Sequence, residues 1–382
     1  MPQPHIPFQV NPLTVRPAMR ERGSEVLHIF TRNGRLIQPK NTDKTTHALR
    51  IAVDTNGALC MAKMSLYTLA MSDLPISTET VSCLVCGEKE SGIEAPDLRD
   101  FEYGVPGTYQ LRKCNACDQL FLSPRPTEAD IMRCYPEDYH GYQTNSISKL
   151  YDLLTEFQMN HRFNKYLELL GKRKAAILDV GCGDGYVLGA LKKRAPHWTL
   201  AGVELKREIA EQGQKQGFDI FCGTLEQCTF APASFDLLIM NHLIEHLHDP
   251  LLTLKKAHEL LKPGGYVIGE APNFDSLDRR IAKKWWGGHH TPRHLFQFTP
   301  KTLSRLFAKA GLNTVRVSAE MHSGHWAGSV QNFLQDGRMP VKLHNGRAAY
   351  YPFLLAFFAI PNAFQYVFKK TGILSFIAHR PH

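Results

Sequence analysis

The sequence predicts an α/β protein built on a doubly wound, largely parallel sheet, with a small cysteine module ahead of it. From Ala175 onward, strand-length apolar runs alternate at short spacing with helix-length runs of mixed polarity. One apolar run, Ile177-Leu178-Asp179-Val180, contains an acid and turns through alternate glycines, Gly181, Gly183 and Gly185, into a helical stretch from Tyr186. Upstream, Cys83-x2-Cys86 and Cys114-x2-Cys117 are separated by 27 intervening residues.

Composition bounds the reading. The chain's 382 residues are too many for one small core and call for a main domain with one or two accessories. Hydrophobic content of 43% and charged content of 21% exclude a disordered or fibrous chain. No apolar run of about 20 residues is present, so no spanning helix is expected. Nine cysteines in a chain this long do not make a disulfide scaffold, which points to a reducing, cytoplasmic setting. The net charge of +9 suits an acidic partner or simply a basic solvated surface. Pro2, Pro4, Pro7 and Pro12 interrupt any apolar core of a signal peptide.

Taken in order, residues 1–80 form an extension of low information. Asn33-Gly34 and Asn56-Gly57 lie between apolar stretches and suit β-hairpins over 26–37 and 50–60. The alternatives are loose order or a start at a later methionine such as Met71. Residues 81–145 hold the cysteine pairs and a Pro/Tyr-rich exit. An amphipathic helix is expected over 146–170. Strands are expected over 175–180, 200–205, 219–222, 235–240 and 266–270, with two later strands, 314–319 and 373–378, closing the edge. Between those two, an apolar segment near 345–370, broken by Pro352 and Pro361, reads as a substrate lid, an amphipathic membrane-surface element or core.

The glycine turn suits a ligand approached closely by backbone, with free N–H groups of a helix start nearby. Its G-x-G-x-G spacing differs from the dinucleotide G-x-G-x-x-G. Asp179 beside the turn would repel a pyrophosphate but suits an ammonium, and no basic residue lies in the turn to neutralise phosphate. Glu204, ending the second strand, is placed to accept hydrogen bonds from ribose hydroxyls. The expected cofactor therefore carries a positive amino-acid end.

From about 175 to 312 the chain resembles the class I S-adenosylmethionine-dependent methyltransferases, whose sheet is Rossmann-like. The resemblance rests on Leu178-Asp179-Val180-Gly181-Cys182-Gly183-Asp184-Gly185, Gly202-Val203-Glu204, Phe235-Asp236-Leu237-Leu238, Ile244-Glu245-His246-Leu247-His248-Asp249-Pro250 and Leu261-Lys262-Pro263-Gly264-Gly265. It implies S-adenosylmethionine bound by Asp179, Gly181, Cys182, Gly183 and Gly185 at the methionine part and by Glu204 at the ribose. Thr224 and Leu225 would hold the adenine, with Asn241 and His242 at the cofactor edge. Residues 81–320 further resemble a bacterial subgroup with an amino-terminal zinc ribbon and segments like Phe121-Leu122-Ser123-Pro124-Arg125-Pro126 and Tyr135-Pro136-Glu137-Asp138-Tyr139. That subgroup often has a glycine after the last cysteine, where this chain has Asp118.

Two Cys-x2-Cys knuckles suit a closed, structural Zn²⁺ site of Cys83, Cys86, Cys114 and Cys117; disulfides would require export. Methyl transfer to oxygen needs a base of near-neutral pKa, for which histidine is suited. Candidates are His242 and His246 after the fourth strand, and His289, His290, Arg293 and His294 after the fifth; His242, His290, Arg293 and His294 form the expected catalytic set. His242-x2-Glu245-His246 also has a spacing that could hold a divalent cation. The acceptor is expected to be a small molecule, a sugar, lipid or phenol, methylated on oxygen or carbon. The competing readings are an RNA methyltransferase and a non-catalytic cofactor-binding scaffold. Aromatic-basic interleaving is lacking, as is an Asn-Pro-Pro-Tyr type tetrapeptide after the fourth strand, so nucleic acid is disfavoured. The oligomeric state is not legible.

Overall fold

The computed structural model describes residues 75–136, 139, 162–171, 174–337 and 342–382, together with two short strands nearer the amino terminus. The chain divides into two compact units, 1–74 and 75–382. In the first, β1 (Val15–Pro17) pairs antiparallel with β2 (Leu27–Ile29). The second strand falls in the expected 26–37 hairpin but takes an upstream partner; Asn33-Gly34 and the whole 50–60 hairpin lie outside the described residues.

In the second unit, β3 (Thr78–Glu79), β4 (Ser91–Leu98), β5 (Tyr109–Cys114), β6 (Leu120–Leu122) and β7 (Arg125–Pro126) make up the cysteine module. Residues 162–170 are helical, the described part of the expected 146–170 helix. Then follow β8 (Ala176–Val180), β9 (Thr199–Glu204), β10 (Asp219–Cys222), β11 (Phe235–Asn241) and β12 (Leu261–Pro272). After these come β13 (Phe296–Gln297), β14 (Asn313–Glu320), β15 (Leu343–His344), β16 (Arg347–Ala348) and β17 (Ile373–His379).

The main sheet has seven strands in the order β10-β9-β8-β11-β12-β17-β14. The first five are parallel to one another, and β17 is antiparallel to both its neighbours. The sequence placed both late strands at the edge; only β14 is there, while β17 inserts inside it. Its seven residues are buried except the last, as a strand covered on both faces requires. β11 is likewise buried along its length up to Asn241.

Helices close both faces. α1 (Tyr186–Arg194) starts directly after the glycine turn, and α2 (Arg207–Lys215) follows β9. α3 (Pro250–Leu260) begins where Asp249 accepts the N–H of Leu252 at 2.9 Å and Pro250 occupies the first turn, a sequence-legible helix start. α4 (Leu277–Ala282) and α5 (Pro300–Lys309) complete this part.

The cysteine module is not a separate bead. β13 pairs with β6, extending a four-stranded sheet ordered β13-β6-β5-β4. One hydrophobic cluster runs from Cys83 and Leu111 through Phe296 to Leu238 and Phe376. The boundary expected at 145/146 therefore does not divide the core; residues 75–382 pack as one unit.

Of the three readings of the apolar stretch, lid, membrane-surface element or core, its exposure overturns the core. α6 (Gly324–Gly337) is followed by α7 (Tyr351–Phe357) and α8 (Ala359–Val367), whose aromatic side chains face outward. Polar Asn362 and Gln365 take the inward positions instead. Among the described residues no helix is long and apolar enough to cross a membrane.

Candidate functional site

Strand register gathers polar groups at the carboxyl ends of adjacent parallel strands, where open α/β sheets bind ligands. Asp179 lies beside Gly202 and Ile239, Glu204 ends β9 opposite Cys222, and Asn241 ends β11 opposite Glu270. Gly181, Gly183 and Gly185 all adopt the left-handed conformation, with φ of 73°, 58° and 87°. A side chain at Gly185 would also sit 2.9 Å from Phe218. Glycine there is thus required by backbone conformation and by packing.

The carboxylates beside the turn differ. Asp179 is buried, and that burial pushes its pKa up to about 7, against the pull of the Arg162 guanidinium. An ammonium placed against it would restore the charge that burial opposes. Glu204 accepts the N–H of Gly183 at 3.0 Å and of Lys206 at 2.9 Å. Each carboxylate oxygen has a second lone-pair site, so the group retains capacity for two hydroxyls. The pair and the glycine turn fit a cofactor with an ammonium and a ribose.

Two expected cofactor residues, Cys182 and Leu225, have buried side chains. Cys182 is buried, and a side chain built at Gly202 would lie 2.5 Å from its sulfur, so its thiol packs under the turn with Leu188, Ala210 and Ile220. Leu225 is buried in the main cluster. Thr224 caps the short helix Leu225–Gln227, its own N–H bonding Gln227 at 3.1 Å.

Arg162 and Glu270 escaped sequence reading. Arg162, on the helix over 162–170, grips Glu270 through Nη2 at 2.8 Å and Nε at 3.3 Å. Glu270 in turn lies 3.4 Å from His242 Nε2, and Glu245 lies 3.6 Å from its Nδ1. Desolvation opposes charge on His242, but the attraction of these two acids outweighs it and raises its pKa to about 9. His242 is therefore an imidazolium at neutral pH and holds no free lone pair for a substrate proton. An acid ending β12 on a carboxyl edge was the available signal for Glu270; Arg162 had none, because its partner is 108 residues away.

His294 sits differently. Its Nδ1 lies 2.9 Å from the Gly288 carbonyl and must carry the hydrogen that bonds it. The lone pair is thus on Nε2, which lies 4.0 Å from Glu245 Oε1. Burial, with His246 and His290 alongside, holds His294 well below the usual histidine range, hence neutral. Burial also lowers His246, whose Nδ1 is 2.8 Å from the Tyr135 hydroxyl and 3.1 Å from the Arg293 carbonyl. Glu245 is fully buried, and neither of its oxygens has a hydrogen-bond partner. Two acceptors facing each other in the interior call for a proton or a cation between them. Ligand atoms of Glu245, His246 and His294 all lie within 4.8 Å of one another.

His290 and Arg293, expected to be catalytic, are committed elsewhere. Arg293 is fully buried; Nη1 and Nη2 grip Asp100 at 2.8 and 2.9 Å and also reach the Cys134 and Thr291 carbonyls, while Nε donates to His290 Nε2 at 3.0 Å. All five of its N–H groups are used. Burial opposes its charge, but Asp100 outweighs that and raises its pKa. His290 Nδ1 is 2.8 Å from Glu102, and its Nε2 is 3.2 Å from the Tyr139 hydroxyl. These contacts tie the module to the 285–294 loop and leave neither side chain for a substrate. Of the remaining loop residues, His289 is packed against Trp286 and Phe274, with its pKa pushed down to about 4 by burial. Trp286 is buried core, its Nε1 donating to Asp278 at 2.8 Å.

A cavity of about 450 Å³ opens between the module and the carboxy-terminal part, lined by Asp100, Phe101, Glu102, Tyr103, Pro136 and Gln335 among others. The glycine turn does not line it; Glu102 links it to His290.

The four module cysteines converge. Cys83 and Cys117 sulfurs are 3.5 Å apart, as are those of Cys86 and Cys114, and all four lie within 4.8 Å of one another without a disulfide. Thiolates about 2.3 Å from a tetrahedral Zn²⁺ would stand roughly 3.8 Å apart, so the donor set fits that ion. Asp118, after the last cysteine, adopts φ of 60°, the conformation a glycine would take more easily, and is held by Lys113 and Lys301.

Residues 155–317 match a protein family described as "Methyltransferase domain". A ubiquinone biosynthesis O-methyltransferase of Idiomarina loihiensis is 30% identical over 172 residues, covering 40% of this chain and 65% of the relative. A malonyl-[acyl-carrier protein] O-methyltransferase of Priestia megaterium is 28% identical over 131 residues, covering 32% of this chain and 47% of the relative. The chain thus spans less than two thirds of the length of these relatives. A crystal structure of a SAM-dependent methyltransferase from Archaeoglobus fulgidus superposes with a TM-score of 0.41 at 17% identity, over 59% of this chain and 94% of that one.

Proposed function

Because residues 155–317 carry a methyltransferase domain of the S-adenosylmethionine-dependent class I kind, we propose that this chain methylates an oxygen of a small-molecule acceptor. A sugar, lipid or phenolic hydroxyl is the acceptor class, with carbon methylation as the variant of the same reading. The observation that carries it is the run of left-handed glycines ending β8 between the carboxylates of Asp179 and Glu204.

S-adenosylmethionine, when bound, would supply a methyl group on a sulfonium. Asp179 would pair with its ammonium, and Glu204 would accept its ribose hydroxyls. Gly181, Gly183 and Gly185 would let the backbone approach, Thr224 and Leu225 would border the adenine, and Asn241 with His242 would close the edge. What remains for the protein is to position the acceptor and take its proton. Nε2 of His294 carries the lone pair for that proton, and Glu245 stands ready to stabilise the imidazolium formed. The cavity beside Glu102 has the size of a small-molecule site. Zn²⁺ held by Cys83, Cys86, Cys114 and Cys117 would be structural in this reading, tying the Cys83-x2-Cys86 turn to the Cys114 end of β5.

The test is incubation of labelled S-adenosylmethionine with separated lipid, glycan, phenolic and RNA fractions. Transfer to a small-molecule or lipid fraction is expected; label in RNA alone would sink the acceptor assignment. Asp179→Ala and Glu204→Ala should abolish cofactor binding. His294→Ala should keep binding and lower turnover by about 10²–10⁴-fold; full activity would remove His294 as the base. Purified full chain should hold one equivalent of zinc, lost in Cys83→Ser.

A second reading is favoured by the unpartnered Glu245: a divalent cation held by Glu245, His246 and His294. Chelation that abolishes turnover while zinc stays bound to the cysteines, with recovery on adding Mg²⁺ or Mn²⁺, would choose it over the proton-transfer reading.

A further inference from the structure

α7 and α8 are amphipathic the wrong way round for a helix pair on a protein surface in water. Phe353, Phe357, Ile360, Phe364, Val367 and Phe368 are 84%, 68%, 80%, 62%, 74% and 59% exposed. Their spacing of three and four residues puts them on one stripe, which continues across the junction at Phe358 for about 22 Å. Inward-facing Asn362 and Gln365 are each 2% exposed.

Specific bonds hold this orientation. Asn362 accepts the His322 N–H at 2.9 Å and donates to the His322 carbonyl at 3.2 Å. Gln365 accepts from Trp326 Nε1 at 2.7 Å and donates to Asp278 at 3.4 Å. Trp326 stacks on Phe358 with ring centroids 5.1 Å apart and planes 3° from parallel. Rotating the helices to hide the aromatic residues would break every one of these contacts and bury unpaired amides.

Charge names the occupant. Residues 337–382 contain Arg338, Lys342, Arg347, Lys369, Lys370 and Arg380 and no acid. Lys370 is taken up by Asp275 and Arg380 by backbone carbonyls of α3 and β12; Lys369 directly follows Phe368 at the end of the stripe. An aromatic stripe ending at Lys369, in a segment with cations and no acid of its own, matches an anionic lipid interface, where such a face sinks about 5–10 Å into the headgroup boundary.

We propose that α7 and α8 dock this chain onto an anionic bilayer surface, with the stripe from Phe353 to Phe368 inserted among the lipids. The docking stands apart from methyl transfer and is read without S-adenosylmethionine.

The experiment is co-sedimentation of the full chain with vesicles of phosphatidylcholine alone or with 30 mol% phosphatidylglycerol, in low and in 0.5 M salt. Binding is expected to the anionic vesicles, at least tenfold weaker without phosphatidylglycerol and weakened by salt. Phe357→Ser with Ile360→Ser should reduce it at least tenfold while leaving the unfolding midpoint unchanged, since both side chains are already in solvent. Failure of the wild type to sediment with anionic vesicles would overturn the proposal, as would vesicle binding undiminished in the variant. So would a lipid-free dimer that the same variant turns into a monomer, which would assign the stripe to a second copy of this chain.

Discussion

Asp100 and Glu245 are the same kind of group in the same kind of place, and the protein treats them in opposite ways. Their side chains are 1% and 0% exposed. Asp100 accepts the N–H groups of Glu102, Tyr103 and Val105 at 2.9, 3.1 and 3.2 Å, besides both arms of Arg293. Glu245 accepts none, and its neighbours are histidines at 3.6 and 4.0 Å. A saturated buried acid holds a structure together, here the module loop to the 285–294 loop. A starved one destabilises its surroundings and is retained where charge is to arrive.

The largest effect expected is on Asp100. Asp100→Ala leaves Arg293 buried and unpaired, and should destabilise the fold by about 3–5 kcal/mol, measured by urea unfolding. Arg293→Ala should do the same, and the double variant should cost less than the two summed. Additive losses would mean the pair is not the joint it looks to be.

Glu245→Gln should invert that pattern. Unfolding free energy should stay within about 1 kcal/mol of wild type, because Glu245 has no hydrogen bond to lose. Turnover should nonetheless fall by roughly 10² or more with cofactor affinity kept. If Glu245→Gln unfolds as readily as Asp100→Ala, the two acids do the same job.

A third acid sharpens the contrast. Asp179, with its pKa pushed up to about 7 by burial, must be ionised to receive an ammonium. Cofactor affinity should therefore drop about tenfold for each pH unit below 7, and Asp179→Asn should bind weakly with that slope gone. Titration calorimetry between pH 5.5 and 7.5 reads it; a flat profile in the wild type would deny the pairing.

The smallest effect concerns His242, which is 43% exposed at its side chain. Its pKa is raised above the unfolded value to about 9. The stability it adds is full below pH 6.5 and lost as pH rises through 9. Solvent screening keeps it under about 1 kcal/mol. The drop in unfolding free energy between pH 6 and pH 10 should shrink by that amount in His242→Gln.

The geometry of the glycine turn was legible and the partners of the histidine-rich loop were not. Asp179, the glycine turn and Glu204 lie within 26 residues, on one strand–turn–helix–strand unit whose geometry follows from local backbone rules. Even there, side-chain direction was hidden: Cys182 and Leu225 look like turn residues but point into the core. His290 and Arg293 read as catalytic because their loop is rich in charge, yet their partners are Glu102, Tyr139 and Asp100, with Asp100 193 residues away from Arg293. For the apolar tail the sequence left lid, membrane-surface element and core open, since hydropathy counts aromatic residues without saying which way Asn362 and Gln365 will pull the helix.

Alternating apolar runs, glycines at φ-positive positions and paired cysteines determined by sequence alone the parallel sheet, its ligand-binding edge and a four-thiol cluster. Each is a short-range pattern that backbone geometry and ligand chemistry translate directly into structure. Tertiary structure alone decided which buried charges are matched, which histidine keeps a lone pair, and which face of the tail meets the outside. Those outcomes depend on which groups the packing brings together, from Gly288 beside His294 to Asp100 against Arg293, where burial and hydrogen bonding, rather than residue type, set the role of a side chain.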